Sequence, residues 1–149
     1  MISRYEQFAA LISSIERGIE KIERDEMVKL GYKGAYVQYL AAMKRYPQGV
    51  TAAQLCEICD RDKAAVSRIV NELEEKGLIL RESGTSYRSR LTLTEEGLRV
   101  AQFVCCKAQA AVDAGGAGLS ESDRQIYFAC LERIARNLEI ISRDGIPEK

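Results

Sequence analysis

The side chains best suited to chemistry in this sequence lie in residues 62–76. Asp62 is a good helix N-cap, and four apolar residues after it recur at the spacing of one helix face: Val66, Ile69, Val70 and Leu73. Small or hydrogen-bonding side chains occupy the opposite face: Lys63, Ala64, Ser67, Arg68 and Asn71. Arg can bridge guanine O6 and N7 in the major groove, Asn can pair with adenine, and small residues permit close approach. The pattern predicts a helix that reads base edges of DNA, with an ordinary solvated helix face as the alternative.

A β-hairpin is predicted directly after this helix. Gly77 stands where a helix C-terminal glycine belongs, and residues 78–81 and 87–93 have the composition of strands, with turn residues 82–86 between them. In the second strand Leu91 and Leu93 point to one side, and Arg88, Arg90 and Thr92 to the other. A hairpin with two outward arginines after a candidate recognition helix predicts a winged helix-turn-helix. Its wing would lie against the phosphates or reach into the minor groove.

The preceding residues complete the helix-turn-helix. Thr51 is a good N-cap for a first helix that runs to Asp60, and residues 60–62 form the turn. Asp60 tolerates the left-handed backbone conformation that glycine would supply there. Thr51 and Gln54 are expected near the DNA backbone, and Lys63 on a phosphate or a base.

Two runs of sequence carry a family resemblance. They are LCEICDRDKAAVSRIVNELEEKGLI and, after the predicted wing, LTLTEEG. Together they resemble the MarR family of bacterial transcriptional regulators: AVSRIVNELEEKGLI is similar to that family's recognition helix and first wing strand, and LTLTEEG to its junction with a dimerisation helix. Three features depart from the family pattern. The wing lacks the usual Asp-x-Arg signature, since no Asp occurs between Glu82 and Leu93, and it is a little shorter. Asp60-Arg61 stand where Gly and an apolar residue are usual. The resemblance covers essentially the whole chain.

The resemblance implies a mainly α fold with a small β-hairpin, in a single domain of residues 1–149. Residues 34–94 would form the winged helix-turn-helix lobe, and residues 1–31 and 95–149 the dimerisation helices. It implies a homodimeric, sequence-specific regulator on a pseudo-palindromic operator in double-stranded DNA. A small-molecule effector, often phenolic, would bind between the lobe and the dimerisation helices. Three residues lie near that expected pocket, with core packing as the alternative for each: Tyr32, Tyr36 and Tyr39.

Both ends of the chain are predicted to be long helices with apolar rows. In residues 3–30 the row alternates spacings of three and four: Tyr5, Phe8, Ile12, Ile15, Ile19 and Ile22. The last helix begins at the N-cap Ser120, with Asp123 placed for a capping box, and continues the pattern at Tyr127, Leu131, Ile134, Leu138 and Ile141. These rows favour a homodimer, with an intrachain hairpin of the two terminal helices as the alternative.

Two further helices are predicted between these elements. One runs from Gly34 to Tyr46 with three residues facing inward: Val37, Leu40 and Met43. The other runs from Glu95 to about Asp113, with four residues expected to be buried: Leu98, Phe103, Val104 and Ala108. Residues 115–118 are glycine-rich but lack the Lys-Ser/Thr of a phosphate-binding loop and a preceding strand, so they are predicted to form a turn.

Composition and charge limit the partners. The 149 residues are 46% hydrophobic and carry 22 basic and 22 acidic side chains, so the formal net charge is zero. Neutrality argues against a non-specific polyanion-binding protein and favours an alternative, a winged-helix protein-interaction module without DNA binding. No apolar run approaches the ~20 residues that span a membrane, and the N-terminus is amphipathic rather than a signal peptide, so a cytoplasmic location is expected.

Catalysis is not expected. The chain has no histidine, the commonest general base, and shows no nucleophile motif or cofactor fingerprint, so we predict neither an enzyme nor a cofactor or metal. Five cysteines are present: Cys56, Cys59, Cys105, Cys106 and Cys130. The Cys56–Cys59 pair falls inside the first helix of the helix-turn-helix, with Cys56 at a small buried position. Buried reduced thiols are expected, and a thiol-based redox-sensing regulator is the alternative.

Overall fold

A computed structural model describes residues 1–82 and 88–148 of the chain. Its helices are α1 (Arg4–Lys29), α2 (Val37–Arg45), α3 (Ala52–Cys59), α4 (Lys63–Glu75), α5 (Glu95–Gly115) and α6 (Glu121–Asp144). Its strands are β1 (Val50–Thr51), β2 (Ile79–Arg81) and β3 (Arg90–Leu93). The mainly α fold with a winged helix-turn-helix is confirmed. The chain forms two compact units, residues 1–112 and 113–149.

The three strands form one antiparallel sheet in the order β1-β3-β2. Val50 pairs with Leu91, and Ile79 pairs with Leu93. Strand β1 was missing from the sequence prediction because two residues are too short to show an alternating pattern. The second wing strand begins at Arg90 rather than at residue 87, because Arg88 and Ser89 lie in a turn. The predicted turn at 83–86, with Tyr87, lies outside the described residues.

The core of the first unit is built from α2, α3, α4, the sheet, the end of α1 and part of α5. All three inward residues predicted in α2 are buried, and so are the four apolar residues predicted for α4. The predicted helix of residues 34–46 is divided, since residues Gly34–Tyr36 form a 3₁₀ turn before α2 begins. Short 3₁₀ turns are common at helix N-termini.

In α5 the prediction of the buried face was partly wrong. Leu98 and Phe103 are exposed and Ala108 is half-buried, whereas Val104 is buried as expected. The buried face consists instead of mostly small residues: Gly97, Val100, Ala101 and Val104. Gly97 is buried there because an added Cβ would meet the backbone of Leu78, so side-chain bulk did not indicate which face packs inward.

The apolar rows of the terminal helices are mostly exposed in the single chain, with Ile19, Tyr127 and Ile141 half-buried. On α1, Tyr5 is 77% exposed and Ile15 is 57% exposed. On α6 no residue is buried, and Leu138 is 50% exposed. Both helices begin with a capping box, Ser3 with Glu6 and Ser120 with Asp123, of which the second was predicted.

The second unit contains the glycine-rich segment and α6. Residues 116–118 form a turn, as predicted, and the Arg124 guanidinium donates to the Gly116 carbonyl at 2.8 Å and to the Asp113 carbonyl at 3.3 Å. These bonds satisfy carbonyl groups left open at the end of α5. Among the described residues, no helix combines the length and the apolar character needed to cross a membrane.

Candidate nucleic-acid interface

The turn between α3 and α4 sets the direction of α4. Asp60 ends α3 in the left-handed conformation, with φ at 49°, as its tolerance for that region predicted. Asp62 then caps α4, because its side chain accepts a hydrogen bond from the Ala65 amide at 2.8 Å. The two helices are therefore joined by a short turn in which both ends are fixed by aspartates.

The outer face of α4 is presented to solvent. Four of the five residues predicted there are exposed, and Ser67 is half-buried: Lys63, Ala64, Ser67, Arg68 and Asn71. The first turn of α4 contains no acidic residue, and the three glutamates lie in its C-terminal half: Glu72, Glu74 and Glu75. The N-terminal turns of α4 thus offer cationic and small side chains to a polyanion, and the acids are set back from them.

Asn71 is held by a residue that sequence reasoning missed. Arg81, on β2, donates from Nη2 to Asn71 Oδ1 at 3.3 Å and from Nε to Glu74 Oε2 at 3.2 Å. The Arg81 side chain is only 13% exposed. No sequence pattern indicated this contact, since the sequence predicted Arg81 only as the last residue of a strand.

Glu72 ties α4 to the segment after α1. Its Oε2 atom accepts from Lys33 Nζ and from the Tyr36 hydroxyl, both at 2.8 Å. The bond from Lys33 and then the bond from Tyr36 lower the pKa of Glu72. Burial, followed by the hydrogen bond and charge of Glu72, raises the pKa of Tyr36 to about 12. Glu72 is therefore charged and Tyr36 protonated at neutral pH, and the Glu72 carboxylate is hydrogen-bonded to Lys33 and Tyr36 of the same chain.

The C-terminal turn of α4 is joined to the start of α5. Gly77 adopts a φ of 72°, and the Leu78 amide donates to the Leu73 carbonyl at 2.9 Å, which closes the helix in a Schellman motif. Thr94 Oγ1 donates to the Gly77 carbonyl at 2.7 Å and accepts from the Gly97 amide at 3.0 Å. The Thr94 side chain thus joins the end of α4 to the first turn of α5 by hydrogen bonds.

Thr51 and Gln54 form a capping box at the start of α3. The Gln54 backbone N–H donates to Thr51 Oγ1 at 3.2 Å, and the Thr51 backbone N–H donates to the Gln54 side-chain oxygen Oε1 at 2.9 Å. Gln54 is exposed and Thr51 is half-buried. Their hydrogen bonds stabilise the α3 N-terminus, so any contact with a phosphate would add to this structural role.

The two arginines predicted for the wing differ in their surroundings. Arg90 lies on β3 opposite Thr51, and its Nη1 atom donates to the Gln48 carbonyl at 3.2 Å. Arg88 precedes β3 in a turn and is exposed. The structure therefore places Arg90 beside the start of α3.

An open groove lies where α1 ends and α4 ends. It is lined by Val28, Gly31, Tyr32, Lys33, Tyr36 and Lys76 and has a volume of about 360 Å³. Two of the three tyrosines predicted near an effector pocket line this groove. Tyr39 does not line the groove. Tyr36 and Tyr39 are 1% and 2% exposed and both belong to the core, so core packing, the alternative given for each tyrosine, describes these two.

The cysteines differ from the prediction of buried thiols. Cys56, Cys59 and Cys105 are half-buried, and Cys106 and Cys130 are exposed. Helix α3 is short and only one of its sides faces the core, so Cys56 is not fully covered. Burial raises the pKa of Cys59, whose thiol donates to the Gln38 carbonyl. Within the described residues, no three His, Cys, Asp or Glu side chains gather as a metal site would require.

Comparison with known proteins agrees with this geometry. A model of the MarR family matches residues 30–89, which include α2, α3, α4 and β2. Over 94 residues the chain is 32% identical to a Thauera aromatica protein named as a transcriptional regulatory protein for the hcr operon. That match includes 59% of this chain and 54% of the relative, so the chain spans about half the length of the curated relative that it matches.

Solved structures match over nearly the full chain. The transcriptional regulator SlyA is 25% identical, with a TM-score of 0.76 over 88% of this chain and 93% of that one. A MarR-family regulator from Listeria monocytogenes, solved with a 26-mer DNA, is 19% identical, with a TM-score of 0.77 over 95% of this chain and 97% of that one. The second likeness concerns the fold alone.

Proposed function

Because this chain carries the winged helix of the MarR family, we propose that it is a transcriptional regulator that binds double-stranded DNA in a sequence-specific manner. The observation that carries the proposal is the outer face of α4. There Lys63, Ala64 and Arg68 are exposed on the N-terminal half of a helix whose first turn, after the cap Asp62, contains no acidic residue and whose other side packs in the core. A related fold was solved with DNA, which is consistent with this use of the helix.

In the proposed complex α4 enters the major groove. Ser67, Arg68 and Asn71 contact base edges, Lys63 contacts a phosphate or a base, and Ala64 permits close approach. Thr51 and Gln54 lie near the backbone. Arg88 and Arg90 lie in or beside the minor groove, where the phosphates concentrate negative potential. The zero net charge of the chain makes this local arrangement, rather than overall charge, the source of affinity.

We assign the exposed apolar rows of α1 and α6 to a homodimer. Large exposed apolar surfaces on a small protein mark interaction sites, and a twofold dimer would bind two half-sites about one helical turn apart. Ile15→Glu places a charge in the α1 row and should dissociate the dimer, measured by light scattering after gel filtration. Ser14→Glu introduces the same charge on another side of α1 and should leave the dimer intact. A monomeric wild-type protein would refute the assignment.

The DNA proposal is tested by selecting bound duplexes from a random pool at two salt concentrations. An inverted repeat should be enriched. The logarithm of the affinity for it should fall linearly with the logarithm of the salt concentration, with a slope set by the number of phosphate contacts. Arg68→Ala should then weaken binding by about 1–3 kcal/mol and relax the preference at one position. Arg99→Ala is the matched control, because Arg99 is exposed on α5 and pairs with Glu96 on its own helix.

No enrichment at low salt, by a protein shown to be folded and dimeric, would refute DNA binding. The same surface would then be assigned to a protein partner. Repeating the selection with reduced and peroxide-treated protein tests the thiol-based alternative, for which Cys106 and Cys130 are the exposed candidates. Enrichment in both samples would exclude thiol oxidation as the signal.

For the effector, we propose the groove at the end of α1. Tyr32 offers an aromatic surface, and Lys33 and Lys76 are cations that suit a phenolic carboxylate. A ligand there would lie beside the Lys33–Glu72 bond, and so could shift the position of α4. Titration with 4-hydroxybenzoate should release the selected DNA, and Lys76→Met should weaken that response more than Lys21→Met on the exposed side of α1. As a regulator of transcription the protein would act in the cytoplasm.

A further inference from the structure

We propose that Arg81 determines base specificity by positioning Asn71, so that Asn71 presents its amide nitrogen to DNA and contacts guanine rather than adenine. The inference rests on the proposed function, because it requires α4 to lie in the major groove. It concerns which hydrogen-bonding groups Asn71 offers to a base, and it assigns that choice to a residue on the wing strand β2.

The contact between Arg81 and α4 is made by two nitrogens of the guanidinium, Nε and Nη2. Nη2 donates to Asn71 Oδ1 at 3.3 Å and lies 3.2 Å from Glu74 Oε2, and Nε donates to the same Glu74 oxygen at 3.2 Å. Asn71 and Glu74 are three residues apart on α4 and so lie on neighbouring turns of one face. The planar fork bridges the two side chains, and only 13% of the Arg81 side chain is exposed.

The identity of the amide atom that faces Arg81 follows from chemistry. A guanidinium has five N–H donors and no acceptor, so it can bond only to the oxygen of the Asn71 amide. The amide nitrogen must then lie on the other side of the carboxamide group. The structure shows no bond from that nitrogen to another described residue, and Asn71 is exposed.

This orientation changes which base the side chain can recognise. The two-bond contact with adenine needs the amide oxygen to accept from N6 while the nitrogen donates to N7. Turning the Asn71 oxygen to that position would break its hydrogen bond to Arg81. Without that turn, the second lone pair of the oxygen lies beside the Arg81 cation. An amide that offers two N–H donors instead suits guanine, which presents the adjacent acceptors N7 and O6.

The test compares base preferences obtained by random-pool selection for four proteins: wild type, Asn71→Ala, Arg81→Met and the double variant Arg81→Met/Asn71→Ala. The operator position whose preference disappears in Asn71→Ala identifies the base pair under Asn71. In the wild type we expect G·C at that position. In Arg81→Met the amide is released, and we expect A·T to gain about fivefold or more over G·C, the lower end of the discrimination of one two-bond contact.

The double variant separates positioning from a structural role of Arg81. The gain of A·T should vanish in it, because no amide remains to be released, whereas a general weakening of the fold would reduce affinity for every base. Arg99→Met removes one positive charge from an exposed arginine on α5 and should leave the preference unchanged. Its affinity reports how much of any change comes from charge alone.

Two results would overturn the inference. One is A·T under Asn71 in the wild type, which needs no variant and holds even if Arg81→Met fails to fold. The other is an unchanged G·C preference in a folded Arg81→Met protein. If the wild type enriches no sequence at all, the proposed DNA binding fails.

Discussion

Replacing Gly97 with alanine tests the close contact between α5 and the end of α4. A Cβ atom at Gly97 would lie 1.9 Å from the Leu78 carbonyl oxygen and 2.9 Å from its carbon, both of which are backbone atoms. Ordinary contact begins near 3.4 Å, so the two segments must separate by about 1.5 Å. The same carbonyl accepts a hydrogen bond from the Thr94 amide at 3.0 Å, and that bond would be stretched or lost.

The expected cost combines these two effects. Overpacking a filled site lowers the free energy of unfolding by about 1–3 kcal/mol. A buried carbonyl left without its donor adds about 1–3 kcal/mol, and Leu78 is fully buried. Alanine's better helix propensity offsets about 1 kcal/mol of this sum. We therefore expect Gly97→Ala to lower the free energy of unfolding by about 1–5 kcal/mol, measured by urea denaturation at a fixed protomer concentration.

Gly115→Ala is the matched control on the same helix. An added Cβ at Gly115 meets no atom within 4 Å, so this substitution should raise the free energy of unfolding by about 0.4–1 kcal/mol. The two glycines of one helix are thus expected to respond with opposite signs. A Gly97→Ala protein as stable as the wild type would show that α5 and Leu78 do not pack as closely as described.

Three further predictions concern side chains around α4. The free energy of unfolding should fall between pH 10 and about pH 12, because Tyr36 ionises in the unfolded chain at a lower pH than in the folded chain. Glu72→Gln should leave the pKa of Tyr36 above 10.0, since burial is the largest cause of the shift. Ultraviolet absorbance titration measures the pKa of Tyr36 in the wild type and in the variant. Asp62→Ala should cost about 1 kcal/mol through loss of the bond to the Ala65 amide, and an unchanged denaturation midpoint would contradict the cap. Asp60→Gly should be tolerated and Asp60→Val should cost about 1–2 kcal/mol, because only the first suits a φ of 49°; equal stability of the two variants would argue against that turn.

Local patterns were sufficient for most of the helix-turn-helix. Helix caps and apolar spacing are encoded by residues within one or two turns of each other, so Thr51, Asp62 and the buried row of α4 could be predicted from the sequence. The left-handed Asp60 was predictable for the same reason. The wing and the order of elements were predicted from the same kinds of local pattern, and the match of residues 30–89 to the MarR family supports the resemblance that those residues carry.

Contacts between distant residues were not predictable in this way. Arg81 and Asn71 are ten residues apart and belong to different elements, and Lys33 reaches Glu72 across 39 residues. Strand β1 exists because β3 lies beside it and not because two residues favour a strand. In α5 the inward face was only partly predicted, since it contains Gly97, which lies against the Leu78 backbone, whereas a hydrophobic pattern favours large residues.

The sequence by itself determined the helices, their caps and the candidate recognition face, because these depend on short-range periodicity and on the chemistry of single residues. Only the tertiary structure decided which polar groups on that face remain available. Glu72 is occupied by Lys33 and Tyr36, and the oxygen of Asn71 is occupied by Arg81. The physical reason is that hydrogen bonds between elements depend on distances of about 3 Å, which are set by the packing of the whole first unit and not by neighbouring residues.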